Sequence, residues 1–229
     1  DNCTSLTHIT FDDEFNQPLG SSLDNCTFLT HITFGYEFNQ PLGSSLDNCT
    51  FLTHITFGYE FNQLLGSSLV VCTVLTHITF GWNFNNLLLN SLNNCTALTH
   101  IIFGFEFNHP LLNSLDNCTS LTHIKFGNEF NQSLDYIFNN CPSLVHLSLG
   151  YRFNQKLDLP PNISSLSLNC KNVSYIDYLP DSIEKLELGT NFKLKLDNLP
   201  SSIRKIIFIK KSEYNKELNC LPYGLSILQ

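Results

Sequence analysis

Residues 25–42 read Asn25-Cys26-Thr27-Phe28-Leu29-Thr30-His31-Ile32-Thr33-Phe34-Gly35-Tyr36-Glu37-Phe38-Asn39-Gln40-Pro41-Leu42. Within this stretch His31-Ile32-Thr33-Phe34 alternates polar and apolar, as a strand with one buried face must. Its β-branched and aromatic residues suit a pleated surface. Leu29, Ile32 and Phe34 have the spacing L-x-x-I-x-F, which matches the leucine-rich pattern L-x-x-L-x-L. Gly35 follows the strand and reads as a turn position that needs positive φ.

The same stretch recurs on both sides. Cys3, Cys26, Cys49, Cys72, Cys95, Cys118 and Cys141 stand 23 residues apart, and Phe15-Asn16 has the same step through Phe153-Asn154. Residues 1–149 therefore form seven 23-residue units that contain Cys. From 150 to 229 about four shorter units continue the apolar triplets Ile163/Leu166/Leu168, Ile183/Leu186/Leu188, Ile203/Ile206/Phe208 and Leu225/Leu228. Their entries are Leu179-Pro180, Leu199-Pro200 and Leu221-Pro222 in place of the Cys column. No unit is long enough to bury its own apolar side, so the units must stack. The expected fold is a leucine-rich-repeat-like solenoid, mostly β, with about eleven short parallel strands. Turns or 3₁₀ pieces form the return arms, and little or no regular helix is expected. At about 4.8 Å per strand the array runs on the order of 50 Å.

Composition narrows the function classes. Hydrophobic residues make up 42% of the 229, which excludes general disorder. No apolar run approaches the length of a membrane span. The net charge of −8 is unevenly placed: residues 1–124 hold six Asp and four Glu with no Lys or Arg, and all twelve basic residues follow. Without a concentrated basic face, nucleic acid is not the expected partner. Met is absent and Asp1 falls inside a unit, so a piece of a longer protein is expected.

Phe15-Asn16-Gln17-Pro18-Leu19 and Phe38-Asn39-Gln40-Pro41-Leu42 resemble the signature of FNIP repeats, a leucine-rich-like family of amoebae and of giant viruses that infect them. Leu179-Pro180-Asp181-Ser182-Ile183 and Leu199-Pro200-Ser201-Ser202-Ile203 resemble the other half of that repeat. The Cys-Thr-x-Leu-Thr-His-Ile element is also similar to BspA-like repeats of bacteria and protists. The first resemblance implies the substrate-binding part of a ubiquitin-ligase receptor, with an F-box outside this chain, in the cytoplasm. The second implies an extracellular adhesin or surface-binding module.

In a stack each unit position becomes a column. Leu6, Ile9, Phe11, Phe15, Leu19 and Leu23 head the buried columns, with the Phe15-type rings stacked along the axis. Asn16 and its equivalents are expected to bond turn backbone in the neighbouring unit. The Cys column lacks the paired short spacing of a zinc site and reads as buried, reduced thiol, an intracellular hint. Asn-Cys-Thr is also a glycosylation sequon at Asn2, Asn25, Asn48, Asn94 and Asn117, relevant only if the chain is secreted.

The candidate partner-binding face is the polar side of the strands: His8, Thr10, His31, Thr33, His54, Thr56, His77, Thr79, His100, His123, Lys125 and His146. Seven stacked imidazoles, neutral and bonded to the adjacent Thr hydroxyls, are expected to resist protonation, because like charges on one face repel. A metal shared between adjacent rings is the alternative reading. Tyr36, Tyr59, Trp82, Phe105 and Tyr151 form a candidate column of aromatic anchors. It runs beside a carboxylate row of Glu14, Glu37, Glu60, Glu106 and Glu129. No unique catalytic arrangement, phosphate loop or cofactor fingerprint appears, so the expected role is a non-enzymatic protein-recognition scaffold without cofactor.

Overall fold

The computed structural model describes residues 3–157, 159–170, 179–189 and 199–208, together with the backbone of 226–228. Eleven short strands follow one another: β1(His8–Thr10), β2(His31–Thr33), β3(His54–Thr56), β4(His77–Thr79), β5(His100–Ile102), β6(His123–Lys125), β7(His146–Leu149), β8(Ser165–Leu168), β9(Lys185–Leu188), β10(Lys205–Phe208) and β11(Ser226–Leu228). They form one parallel sheet in chain order, and each pairs with the next at the same repeat position, such as Ile32 on Ile55. That register is enforced by burial, since a slip of one residue would turn Ile32 and its equivalents to solvent.

Beyond the strands, the first seven units return through turns closed by bonds from residue i+3 to residue i, such as Cys26 N–H to Leu23 C=O at 2.9 Å. No helix is present among the described residues. None is therefore long and apolar enough to cross a membrane.

The core is a set of ladders. The Leu, Ile, Phe and Cys columns are almost fully buried from Leu19 to Phe153, and the Ile/Leu triplets continue this core to Phe208. Two Phe columns interleave. Phe34 stacks on Phe38 within its unit at 4.2 Å, while Phe38 meets Phe61 of the next unit at 6.1 Å, with planes 4° apart. Each ring thus has aromatic neighbours both along and across the axis, an offset arrangement that adds to plain area burial.

The thiols of this core are free. Burial pushes Cys72, Cys95 and Cys118 up to about 12, so they stay protonated and inert.

The expectation for the post-strand glycine is corrected. The glycines with positive φ are Gly20, Gly43 and Gly66, on the return arms. Gly35, Gly58, Gly81, Gly104, Gly127 and Gly150 are required for a different reason, the close approach of backbone. A Cβ on Gly81 would overlap the carbonyl oxygen of Gly58, and a Cβ on Gly104 that of Gly81. Glycine at this column sets how tightly successive units stack.

Candidate functional site: a histidine ladder with an aromatic rim

The polar side of β1 to β7 carries the predicted His row in register. From His8 to His123 successive rings lie 4.2–4.3 Å apart with planes within 11°. His146 closes the row at 5.3 Å and 29°. All of these rings are half-buried except His8, which is exposed.

The hydroxyl partner expected for these rings needs correction. From His8 to His123 it is supplied by the Thr before each His, not by the Thr10 column, while His146 Nδ1 lies 2.9 Å from Ser165 Oγ. Thr30 Oγ1 lies 2.9 Å from His31 Nδ1, and Thr53, Thr76, Thr99 and Thr122 repeat the contact. The same Thr hydroxyls donate to the carbonyl one unit back, as Thr53 Oγ1 does to Thr30 C=O at 3.0 Å. A hydroxyl has one proton, and a carbonyl can only accept. Toward the imidazole the Thr oxygen must therefore accept, so Nδ1 carries the hydrogen. Nε2 is left as the acceptor of each half-buried ring.

This assignment bears on the shared-metal reading. A single metal bound by two imidazoles at about 2.0–2.1 Å needs lone pairs that converge. Nearly parallel rings held at Nδ1 by Thr point their lone pairs side by side. Among the described residues no group of three or more His, Cys, Asp or Glu is placed to hold a metal ion.

Five imidazoles of the row resist protonation. Burial first, then the neighbouring imidazoles, holds His31, His54 and His77 below the ordinary value, and His100 is pushed down to about 4. His146 is also lowered, mainly by burial and by His123, although Glu187 opposes the shift. Thr10, Thr33, Thr56 and Thr79 share one register beside the row, followed by Ile102, Lys125 and Ser148.

At the C-terminal ends of the strands runs the aromatic column. Tyr36 stacks on Tyr59 at 4.6 Å, Tyr59 on Trp82 at 5.5 Å, and Trp82 on Phe105 at 4.2 Å with planes 2° apart. Tyr36 and Trp82 are 48% and 42% exposed, so this is a surface ridge. Asn128 stands between Phe105 and Tyr151, so Tyr151 lies apart from the other four rings. Backbone fixes the ridge: Glu60 N–H donates to Tyr36 C=O, Asn83 N–H to Tyr59 C=O and Glu106 N–H to Trp82 C=O, each at 2.9–3.0 Å. The carboxylates alternate with the rings along the chain. Asn83 Nδ2 donates to Glu60 at 2.7 Å, and Arg152 pairs with Glu129 at 3.4 Å.

The Asn column behaves as expected. Asn39, Asn62, Asn85, Asn108, Asn131 and Asn154 donate their backbone N–H to the Oδ1 of the Asn one unit back at 2.9–3.0 Å. The following Gln or Asn amide joins the same oxygen in most units, as Gln63 Nε2 does at 3.0 Å. These amides lie half-buried or exposed, at the edge of the core.

Two surface features escaped the sequence reading. Phe28 and Phe51 are 56% and 53% exposed and stack at 5.7 Å on the N-terminal side of β2 and β3, followed in their column by Val74. Leu89, Leu112 and Tyr136 adopt left-handed φ of 49°, 48° and 63° on the return arms and are well exposed. The first was readable only as variation within a column: Ser5, Phe28, Phe51, Val74, Ala97 and Ser120 differ where their neighbours do not. The second had a signal in Leu89 and Leu112 replacing Gly20, Gly43 and Gly66.

Comparison with known proteins places this geometry. The circular leucine-rich-repeat protein CroV588 superposes with a TM-score of 0.77 at 32% identity, over 97% of this chain and 33% of its own. The internalin InlF from Listeria monocytogenes superposes with a TM-score of 0.68 at 18% identity, over 89% of this chain and 61% of its own. A chain of the Toll–Spatzle complex from Drosophila gives 0.57 at 14%, over 88% of this chain and 33% of its own. This chain thus spans about a third of CroV588, and the last two likenesses concern the fold alone. No curated protein sequence matches it. An FNIP repeat is matched at residues 175–211. The model of the BspA type leucine rich repeat region matches in overlapping stretches, residues 1–99 and 47–158. The chain belongs to the BspA-type leucine-rich-repeat family and carries an FNIP repeat toward its C-terminal end.

Proposed function

We propose that this chain is a non-enzymatic protein-recognition scaffold whose contact surface is the His/Thr face of β1 to β7 with its aromatic rim. The observation that carries this reading is the stacked ridge Tyr36–Tyr59–Trp82–Phe105, held by one backbone bond per unit, with Tyr36 and Trp82 exposed and Tyr59 and Phe105 half-buried. Exposed aromatic residues of low conformational freedom are what interfaces use as anchors. A regular solenoid surface presents them in a fixed array. The unit columns supply no unique nucleophile–base pair, which weighs against an enzyme.

Of the two settings the resemblances imply, the FNIP match favours the substrate-binding part of an F-box ubiquitin-ligase receptor in the cytoplasm. The buried free thiols are at home there. The extracellular BspA-like alternative gains support from sequon asparagines Asn25, Asn48, Asn94 and Asn117, all exposed. Two of them already serve the fold, since Asn94 and Asn117 donate to Val70 C=O and Asn93 C=O.

The test is selection from a displayed library of small folded domains and peptides against the immobilised chain. Binders are expected to lose about tenfold or more in affinity when His54 and His77 are both changed to Lys, or Tyr59 and Trp82 to Ala. Binders that map only to the return arms would overturn the assignment of this face.

A further inference from the structure

The contact surface of the first five units offers acceptors and almost no cationic donors. Its imidazoles present bare Nε2 lone pairs, because Nδ1–H is committed to a Thr hydroxyl that is itself committed to a carbonyl. Its rim carries Glu37, Glu60 and Glu106 between the rings, and residues 1–124 contain no Lys or Arg to neutralise them. Elsewhere on the row Asn83 and Arg152 answer a carboxylate, but Glu37 is exposed with no side-chain partner of opposite charge in that whole stretch.

The rings of the ridge narrow the ligand further. Tyr36, Tyr59, Trp82 and Phe105 lie face to face with planes within 13°, so each inner face is covered by a neighbour. Sugars and bases stack on ring faces, and between Tyr36 and Phe105 these are taken up by the stack itself. What the ridge offers is a continuous row of ring edges, an apolar surface suited to the methylene stems of long side chains. Long stems ending in cations, beside carboxylates and imidazole acceptors, describe Arg and Lys.

We propose that the aromatic rim of units 2 to 5 docks a basic, Arg- or Lys-rich polypeptide segment. Its side-chain stems lie along the ridge formed by Tyr36, Tyr59, Trp82 and Phe105, and its cations reach Glu37, Glu60 and the His Nε2 row. The segment runs along the solenoid axis, since both the ridge and the carboxylates do. This inference rests on the recognition reading above and names the chemistry of the partner.

Trp82 is the only Trp of the chain and sits within the ridge, so its fluorescence reports on this surface alone. The probe is a synthetic peptide of alternating Arg and Ser, about eight residues long, which at about 3.3 Å per residue reaches past the four rings. Matched Gln–Ser and Glu–Ser peptides are the controls, with calorimetry as the second readout. The Arg peptide is expected to change Trp82 emission and to bind at least tenfold more tightly than the Gln peptide. That binding should weaken about tenfold between about 0.05 and 0.5 M salt, as screened ion pairs do. Glu37→Gln with Glu60→Gln should weaken it about tenfold, whereas Asp24→Asn with Asp47→Asn, on the return arms, should leave it within about twofold.

Equal binding of the Arg and Gln peptides, or binding that leaves Trp82 unchanged, would overturn the proposal. So would equal losses in the two pairs of variants. If the library yields acidic or neutral binders on the His/Thr face while the Arg peptide does not bind, the scaffold reading stands and the basic partner falls. If the Arg peptide binds the rim while selection yields no binder on the His/Thr face, the basic partner stands and the contact surface narrows to the rim.

Discussion

The Cys-containing half and the Leu-Pro half share one sheet but little else. β7 pairs with β8 as regularly as β2 pairs with β3, although the unit length changes between them. The apolar triplet is common to both: Ile32 and Phe34 in one half, Leu186 and Leu188 in the other, all buried. Outside the triplet the columns diverge. At the register of the His row the second half places Ser165, Lys185 and Lys205. The carboxylate of Glu187 pairs there with Lys185 at 2.6 Å. Register is therefore fixed by what is buried, and the exposed columns are free to specialise.

The largest effect should separate the two cores. Phe61→Ala removes a fully buried ring that stacks on Phe38, Phe57 and Phe84. It should cost about 3–5 kcal/mol in urea unfolding. Leu188→Ala, equally buried in the Leu-Pro half, should cost less by about 1 kcal/mol, the share owed to the larger ring and its aromatic pairing. Equal losses would mean the double Phe ladder adds nothing beyond area. Two resolved transitions in either variant would show that the halves unfold separately, as weakly coupled repeats do.

The stacking glycines come next. In Gly81→Ala the new Cβ meets backbone, the Gly58 carbonyl, which cannot rotate away. A loss of about 1–3 kcal/mol is expected. In the other half Gly189→Ala first meets the Asn169 side-chain oxygen, which can move, so its loss should be the smaller. Thermal unfolding of both variants decides it, and a larger loss at Gly189 would reverse the inferred stacking constraint.

Much of this was legible because a repeat displays its own constraints many times. The buried triplets, the strand number and the Asn-to-backbone ladder follow from alternation and period. What periodicity hides is why a residue is constant. Gly81 and Gly43 look alike in the sequence, yet the first avoids a clash and the second supplies a left-handed turn. The hydroxyl bonded to His54 is hidden for a similar reason. Thr53 and Thr56 both neighbour the ring in sequence, and only strand geometry shows that Thr53 reaches Nδ1. Phe28 and Phe51 were missed because exposure cannot be read from a residue preceding a buried Leu.

Acid should distinguish the halves by a moderate amount. His31, His54, His77 and His100 titrate lower in the folded chain than in the unfolded one, where the value is near 6.5. The unfolded state then binds more protons as pH falls, so stability is full above about 6.5 and is lost from there down toward about 4. The charged groups facing the row are few: Lys125 beside its last strands, and Lys185 and Glu187 near His146. Hydrogen exchange at pH 5 against pH 7.5 should show faster opening of β2 to β6 than of β8 to β10. Uniform protection at both pH values would remove the stacked imidazoles as a pH-sensitive element.

The smallest effect tests where the first half begins to drift from its own rule. Gly20, Gly43 and Gly66 hold φ of 52–54°, and Leu89 holds 49° at the same unit position. A left-handed residue with a Cβ costs about 1–2 kcal/mol, and the Leu89 side chain, 53% exposed, recovers little of that by burial. Leu89→Gly relieves the backbone but gives the unfolded chain more freedom, worth about 0.5–1 kcal/mol against folding. The difference leaves a net gain of at most about 1.5 kcal/mol, read as a slightly higher urea midpoint with an unchanged slope. A lower midpoint would mean that the exposed half of Leu89 conceals real packing on Val70 and Asn94, its neighbours in a shallow return-arm depression. The return arms of the Cys half would then be a second apolar surface rather than a strained by-product of duplication.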